Sequence, residues 1–152
     1  MKRRGYSNKS FIEHHTEGSL STSLVQVKDI MSKGKNIPII NANKSMKSAI
    51  AEMSKKRLGI LCVKEKNKKI SILTDGDLRR HSNNLYKKKI LKVCSKNPNW
   101  ISDTATALSA IEKMNSLKIT SLLVTKNKEI NKKIKNVIGI LHLHHCLSRG
   151  IK

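Results

Sequence analysis

Two stretches of the chain repeat one pattern of apolar and polar positions. Ser48–Met53 and Ser109–Met114 both read Ser-Ala-Ile-x-x-Met. The apolar residues around them recur at i, i+3, i+4 and i+7, which is one face of an amphipathic helix. Ser45 and Thr106 stand just before these faces, where a hydroxyl can cap free backbone N–H groups. The pattern predicts two equivalent helices with the faces Met46, Ala49, Ile50, Met53 and Ala107, Ala110, Ile111, Met114.

Short apolar runs flank each predicted helix and are typical of buried strands. A polar turn follows the second run of each copy, and a third run leads into a second helix. Each copy therefore predicts the order strand, helix, strand, strand, helix. The runs are Ile37–Ile40, Gly59–Val63 and Ile70–Leu73 before a helix over Asp75–Ser82, and Pro98–Ile101, Thr120–Val124 and Val137–Leu141 before a helix over His144–Arg149.

The duplication predicts an α+β fold in which two β-α-β-β-α repeats pack as a pseudo-twofold pair. One such unit buries little apolar area, and two packed together bury more. We predict repeat one over residues 27–86 and repeat two over residues 87–152. Residues 1–26 belong to neither copy and form a tail, and the polar segment Asn83–Lys89 is the predicted connection.

The chain is strongly basic, with 32 Lys and Arg against 10 Asp and Glu and a formal net charge of +22. Such a charge attracts polyanions, but the lysines are spread along the chain. Lys, Asn and Ile are all abundant and all use A/T-rich codons, so genome bias is an alternative explanation of the charge. Aromatic residues make up 3% of the chain, so stacking platforms for single strands are nearly absent. No apolar run reaches membrane-spanning length, and the three cysteines have no paired spacing. We expect a cytoplasmic protein with neither nucleic acid nor membrane as a partner.

The duplicated unit resembles the paired cystathionine-β-synthase (CBS) domain module. More specifically, Val27–Met31, Leu73–Arg80, Ile119–Ser121 and Gly139–His144 are similar to the C-terminal region of arabinose 5-phosphate isomerases. In that family a sugar-isomerase domain precedes the CBS pair. The family interconverts ribulose 5-phosphate and arabinose 5-phosphate for the Kdo sugar of lipopolysaccharide, which would place the chain in carbohydrate metabolism.

The first 26 residues extend this resemblance to the end of the isomerase domain. His15 falls on a histidine implicated in the family's catalysis, and Thr16 and Glu17 replace the Pro-Gly that usually follows it. The family's phosphosugar-binding core has no counterpart in the chain. Isomerisation needs an acid–base pair within hydrogen-bond reach of the sugar and a cradle for its phosphate. We therefore expect no catalysis by this chain alone, with His15 as a family-like remnant.

The resemblance also implies a ligand site in repeat one. In CBS pairs that bind adenine nucleotides, a Thr/Ser-x-x-Asp pair holds the ribose, and backbone of the first two strands flanks the base. A helix N-terminus favours a phosphate. The same Thr-x-x-Asp pattern is also typical of a capping box, which stabilises the start of a helix and needs no ligand. A ribose contact and a helix cap therefore both remain open. The implied contacts are Thr74, Asp77, Gly59, Ile60, Leu61 and Ser45.

Repeat two carries imidazoles at the matching positions. His142 stands in the place of Thr74 and His145 in the place of Asp77. An imidazole cannot accept two ribose hydroxyls as a carboxylate does. The resemblance therefore implies a second, weaker site at His142, His145, Ser121 and Thr106.

A metal is an alternative interpretation of this histidine-rich segment. Zn²⁺ accepts imidazole and thiolate ligands, which His142, His144, His145 and Cys146 could supply. However, we expect residues 142 and 144, at a predicted strand end, to face opposite ways. We predict no metal and no cofactor.

These observations favour a non-catalytic regulatory module that binds an adenine nucleotide or a related phosphorylated ligand. CBS pairs commonly associate face to face, so the resemblance implies a homodimer. Two alternatives remain open. The chain could be the accessory part of a split arabinose 5-phosphate isomerase and act with a separate sugar-isomerase subunit, or it could be a basic polyanion-binding protein.

Overall fold

The computed structural model describes residues 24–126 and 133–152. Within these segments the chain forms two three-stranded sheets covered by short helices. None of those helices is long and apolar enough to cross a lipid bilayer. The first six elements are α1 (Val27–Ile30), β1 (Ile39–Asn41), α2 (Met46–Lys56), β2 (Ile60–Lys64), β3 (Ile70–Thr74) and α3 (Asp75–Arg80). The next six are α4 (Ile90–Val93), β4 (Trp100–Ser102), α5 (Ala107–Leu117), β5 (Ser121–Thr125), β6 (Gly139–His142) and α6 (Leu143–Leu147).

The two sheets have the same topology, which confirms the predicted α+β duplication. In each sheet the second strand is central, parallel to the first strand and antiparallel to the third. The antiparallel register places Ile60 opposite Thr74 in one sheet and Ser121 opposite His142 in the other. The start of each central strand therefore lies beside the end of each third strand.

The two predicted amphipathic helices are present with the predicted faces inward. Helix α5 buries all four predicted apolar residues, and α2 buries three of them, with Ile50 half-buried. The hydroxyl of Ser45 accepts a hydrogen bond from the Ser48 amide at 3.1 Å, and the hydroxyl of Thr106 accepts one from the Ser109 amide at 3.1 Å. Both predicted helix caps are therefore formed.

Each central strand is buried on both faces, because helices cover one side of its sheet and the other sheet covers the opposite side. Leu61 and Val63 of β2 pack under the helices of repeat one, while Ile60 and Cys62 point towards the second sheet. This burial explains why the strands read as continuous apolar runs. The layer between the sheets contains Ile37, Ile60, Cys62, Ile70, Trp100, Leu123 and Ile140.

The short helices α1 and α4 each pack against the repeat to which they do not belong in sequence. Val27 of α1 packs in the core of repeat two, and Ile90 of α4 packs in the core of repeat one. Backbone hydrogen bonds fix the second crossing, since Ile72 and Ser95 each donate their amide to the other's carbonyl. The predicted boundary between residues 86 and 87 divides the repeats by sequence order. In the structure, the first helix of each repeat packs in the core of the opposite repeat.

Cys62 lies in the layer between the sheets and has no exposed surface. Burial raises the pKa of its thiol to about 12. The thiolate, which is the reactive form, is therefore almost absent at neutral pH. Cys62 thus packs as a small apolar side chain, in agreement with its position in an apolar run.

Candidate functional site

A cleft of about 430 Å³ lies where the two repeats meet. It opens at the end of the sheets where β3 and β6 run into α3 and α6. Each repeat supplies one wall, so a bound molecule would touch both repeats at once. Repeat one contributes Gly59, Ile72, Thr74, Asp75, Gly76, Arg79 and Arg80, and repeat two contributes Asn99, Lys118, Ile119, Thr120, Ser121 and His142.

Four of the predicted site residues line this cleft: Gly59, Thr74, Ser121 and His142. The strand register brings them together, because it sets the start of each central strand beside the end of the third. Gly59 adopts a left-handed conformation (φ +66°), and a Cβ added there would lie 2.7 Å from a carboxylate oxygen of Asp75. Glycine thus allows the Asp75 carboxylate to approach this close to the backbone.

Four other predicted site residues do not line the cleft. The side chains of Ile60 and Leu61 are buried in the layer between the sheets and in the core of repeat one, respectively. Ser45 and Thr106 are exposed and cap α2 and α5. The predicted contacts of these residues with a ligand stay predictions, and in this structure their roles are packing and capping.

Asp77 lies behind the wall of the cleft and is 3% exposed. Its carboxylate accepts hydrogen bonds from the Thr74 amide and the Thr74 hydroxyl, each at 3.0 Å, and from the Ser95 hydroxyl at 3.1 Å. It also accepts one from an Arg80 guanidinium nitrogen at 2.7 Å. The capping box is therefore formed. The predicted ribose contact of Asp77 stays a prediction, and it would require the carboxylate to leave some of these donors.

The equivalent box in repeat two is built from imidazoles. His145 Nδ1 accepts a hydrogen bond from the His142 amide at 3.0 Å, and His142 Nδ1 accepts one from the His144 amide at 3.0 Å. The rings of His142 and His144 stack, with centroids 4.8 Å apart. The prediction that these two rings face opposite ways was wrong: side chains two residues apart on a strand share a face, and here α6 already begins at Leu143. His145 supports His142 from behind and does not line the cleft.

The environment of this box disfavours protonation of its rings. Burial lowers the pKa of His142 below its ordinary value of 6.5, and the neighbouring His144 and His145 lower it further, while Asp75 acts in the opposite direction. The pKa of His145 is also lowered, first by burial and then by His144. Both rings are therefore predominantly neutral at pH 7, which agrees with their roles as hydrogen-bond acceptors.

Two further predictions concern the family-like catalytic histidine and metal binding. His15, the family-like histidine, lies outside the described residues. Across residues 24–126 and 133–152, no group of three or more His, Cys, Asp or Glu side chains is arranged to hold a metal ion.

Sequence reasoning missed the cationic groups of the cleft. Arg79 and Arg80 lie on α3 one turn after its first residues, so the helix that Thr74 caps brings them to the same wall. Lys118 ends α5 in a left-handed conformation (φ 57°) and lies on the other wall. Helical spacing from Thr74 was a usable signal for the arginines. Lys118 had no such signal among the many lysines of the chain.

Comparison with known proteins identifies the repeated unit. Residues 27–84 match the family model described as the CBS domain, and the second repeat has the same elements in the same order. The chain contains a CBS domain pair. Its fold is similar to that of the CBS domain pair of protein MJ0100 in complex with 5′-methylthioadenosine and S-adenosyl-L-methionine, with a TM-score of 0.68 and 23% identity over 83% of this chain and 94% of that one. It is also similar to CBSX2 in complex with AMP, with a TM-score of 0.67 and 21% identity over 83% of this chain and 96% of that one.

The CBS pair is also related to an enzyme family. The chain is 38% identical over 157 residues to arabinose 5-phosphate isomerase KdsD of Francisella tularensis. That alignment covers 100% of this chain and 46% of the Francisella protein. The chain therefore spans less than half the length of this curated relative.

Proposed function

We propose that the CBS pair is a non-catalytic regulatory module that binds an adenine nucleotide, or a related phosphorylated ligand, in the cleft between the repeats. We include in this proposal the face-to-face homodimer implied by the resemblance. The observation that carries the proposal is the composition of the cleft. Arg79 and Arg80 on one wall and Lys118 on the other lie around hydroxyl groups of Thr74, Thr120 and Ser121.

This composition suits a nucleotide for physical reasons. A volume of about 430 Å³ lies within the usual range for small-molecule sites. Guanidinium and ammonium groups form charge-assisted hydrogen bonds with phosphate oxygens. The Thr74 hydroxyl donates to Asp77 and accepts from the Asp77 amide, so one lone pair remains to accept a ribose hydroxyl. The complexes of MJ0100 and CBSX2 with adenosine compounds support the same ligand class.

Regulation would follow from the position of the cleft. A ligand that contacts both walls stabilises one arrangement of the repeats over others. It changes the state of an attached or partner domain only if it binds the two states with different affinities. The module therefore needs no reacting groups of its own to act as a switch.

Calorimetric titration with AMP, ADP and ATP tests the ligand class. We expect the double variant Arg79→Gln/Lys118→Asn to bind roughly 50-fold more weakly than the wild type, since two charge-assisted contacts of about 1.2 kcal/mol each are lost. Asparagine is chosen at position 118 because it tolerates the left-handed conformation. The charge-matched control is Lys47→Gln/Lys92→Gln, two exposed positions that do not line the cleft.

The control should bind the nucleotides as the wild type does. If both double variants lose the same affinity, and if binding falls steeply with salt, the protein is a non-specific polyanion binder. The absence of binding heat for all three nucleotides would reject the proposal.

The relation to KdsD supports a second proposal. We propose that the pair regulates an arabinose 5-phosphate isomerase domain, either in the same polypeptide or as a separate subunit. Formation of arabinose 5-phosphate from ribulose 5-phosphate by a KdsD-type isomerase domain lacking its own CBS pair should respond to AMP only when this chain is present. A lower rate with the variant His15→Ala would indicate that the chain also supplies a group to the reaction. An unchanged rate on adding the chain would eliminate this proposal.

A further inference from the structure

The two capping boxes occupy equivalent places but have different chemistry. Thr74 and His142 are the last residues of β3 and β6, and both line the cleft. A hydroxyl and a carboxylate close the box of repeat one, whereas two imidazoles close the box of repeat two. A hydroxyl does not titrate near neutral pH and a carboxylate ordinarily titrates near pH 4, but an imidazole ordinarily titrates at about 6.5. Repeat two therefore gives the cleft a wall that carries a titratable side chain, whereas the matching residue of repeat one is a hydroxyl.

The hydrogen bonds of the second capping box define the protonation state of its two rings. His142 Nδ1 and His145 Nδ1 both accept from backbone amides, so the single proton of each neutral ring lies on Nε2. His145 Nε2 accordingly lies 3.4 Å from the Ser32 hydroxyl. A second proton on His142 would occupy the lone pair that now accepts from His144. Protonation of His142 therefore costs this hydrogen bond.

The charges around His142 come from several elements. His144 and His145 face it from its own helix, and Asp75 faces it from the start of α3. Arg79 and Arg80 of α3 and Lys118 at the end of α5 line the same cleft. Arg80 is paired with the carboxylate of Asp77, so Arg79 and Lys118 against Asp75 leave a positive balance that opposes a further charge on His142. An anion bound among them would reverse this balance, because it can accept a hydrogen bond from an imidazolium.

We propose that His142 is a protonatable ligand contact, so that an anionic nucleotide binds in the cleft with uptake of a proton on His142. This inference rests on the proposed function and adds to it a dependence on pH. Binding and protonation favour each other by linkage, so affinity rises as the pH falls from 8 to 6. His145 accepts from the His142 amide and contacts Ser32, does not line the cleft, and gains no proton on binding.

Calorimetry of AMP binding at pH 6 and pH 8, in buffers of different ionisation enthalpy, measures the proton uptake. The variant His142→Asn keeps a neutral side-chain acceptor at the helix cap but cannot titrate. The matched control His144→Asn removes the adjacent exposed ring, which does not line the cleft. The phosphate of AMP itself titrates in this range, and its contribution is the same for all three proteins. Relative to His142→Asn, we expect the wild type to gain roughly fivefold in affinity at pH 6, and His144→Asn, which keeps the titratable ring of His142, to gain affinity as well.

Histidine ring signals in NMR spectra provide the second measurement. Without AMP, the ring of His142 should titrate below pH 6.5, and stability should fall with acid because the unfolded chain then binds more protons than the folded chain. With saturating AMP, the ring of His142 should titrate at a higher pH, while His145 should not. Binding of AMP with an unchanged titration of His142 overturns this inference and leaves the proposed function standing. Absence of binding by AMP, ADP and ATP overturns both.

Discussion

Replacing Asp77 by alanine is expected to lower the free energy of unfolding by about 3 kcal/mol. The carboxylate is buried and accepts hydrogen bonds from the Thr74 amide, the Thr74 hydroxyl and the Ser95 hydroxyl. Its removal leaves these donors without that partner and removes one half of the capping box of α3, while the Thr74 hydroxyl can still accept from the amide of residue 77. The ion pair with Arg80 adds little to this value, because the Arg80 side chain is 65% exposed and screened by water.

Urea unfolding followed by circular dichroism measures this loss. The matched control is Asp29→Ala, an exposed aspartate whose carboxylate accepts from the Gln26 amide in a similar local pattern. The control should lose about 1 kcal/mol or less. Asp77→Asn should fall between the two, since an amide keeps one acceptor oxygen. If Asp77→Ala is no less stable than Asp29→Ala, the Asp77 carboxylate does not hold Ser95 and the end of β3 together.

Replacing Leu123 by alanine is expected to cost about 3 kcal/mol, because it leaves a cavity between the two sheets. Leu123 is 1% exposed and lies on the face of β5 that packs against the other sheet. The change removes apolar contacts that both repeats share, so the two repeats should unfold together at a lower urea concentration. Unfolding measured by the fluorescence of Trp100, which lies in the same layer, and by circular dichroism should give one common transition.

The control for this prediction is Leu117→Ala at the exposed end of α5. Leu117 is 44% exposed, and alanine and leucine have similar helix propensities, so its loss should be within about 0.5 kcal/mol. Equal losses for the two variants, or two separate transitions in Leu123→Ala, would mean that the sheets do not pack on each other in solution.

Local patterns made the repeated unit predictable. The helix faces around Met46 and Ala107 recur over two turns, and their caps at Ser45 and Thr106 precede them directly. The strands were also predicted, although each observed strand ends one residue later than its apolar run. The extra residue is polar in every case, as at Thr74, because a strand pairs through its backbone whatever its side chain.

Contacts between distant parts of the chain were not predictable in the same way. The four-residue helices α1 and α4 are too short to have a period, and each packs in the core of the opposite repeat. The pairing of Ile72 with Ser95 depends on that crossing. No local pattern near Ser95 indicates that its hydroxyl donates to Asp77.

The candidate site was predictable where family resemblance and strand register agree. Thr74 and His142 end equivalent strands, and both line the cleft. Asp77 was singled out as a ligand contact, but the structure places its carboxylate beneath the wall, since helix capping uses its oxygens. The cations of the cleft were not predicted, because composition does not distinguish them among the 32 Lys and Arg residues of the chain. The fold alone places Arg79 and Lys118 around one cleft.

Backbone amide NMR spectra of the labelled chain during a titration with AMP test most directly whether one ligand binds between the two CBS repeats. We expect saturable shifts that cluster on both walls of the cleft, around residues 74–76 and 118–121, with Gly59 and Asn99. The exposed Lys47 and Lys92 should not shift. Saturable shifts confined to one repeat, or changes spread over the lysines without saturation, would contradict a ligand site shared between the two CBS repeats.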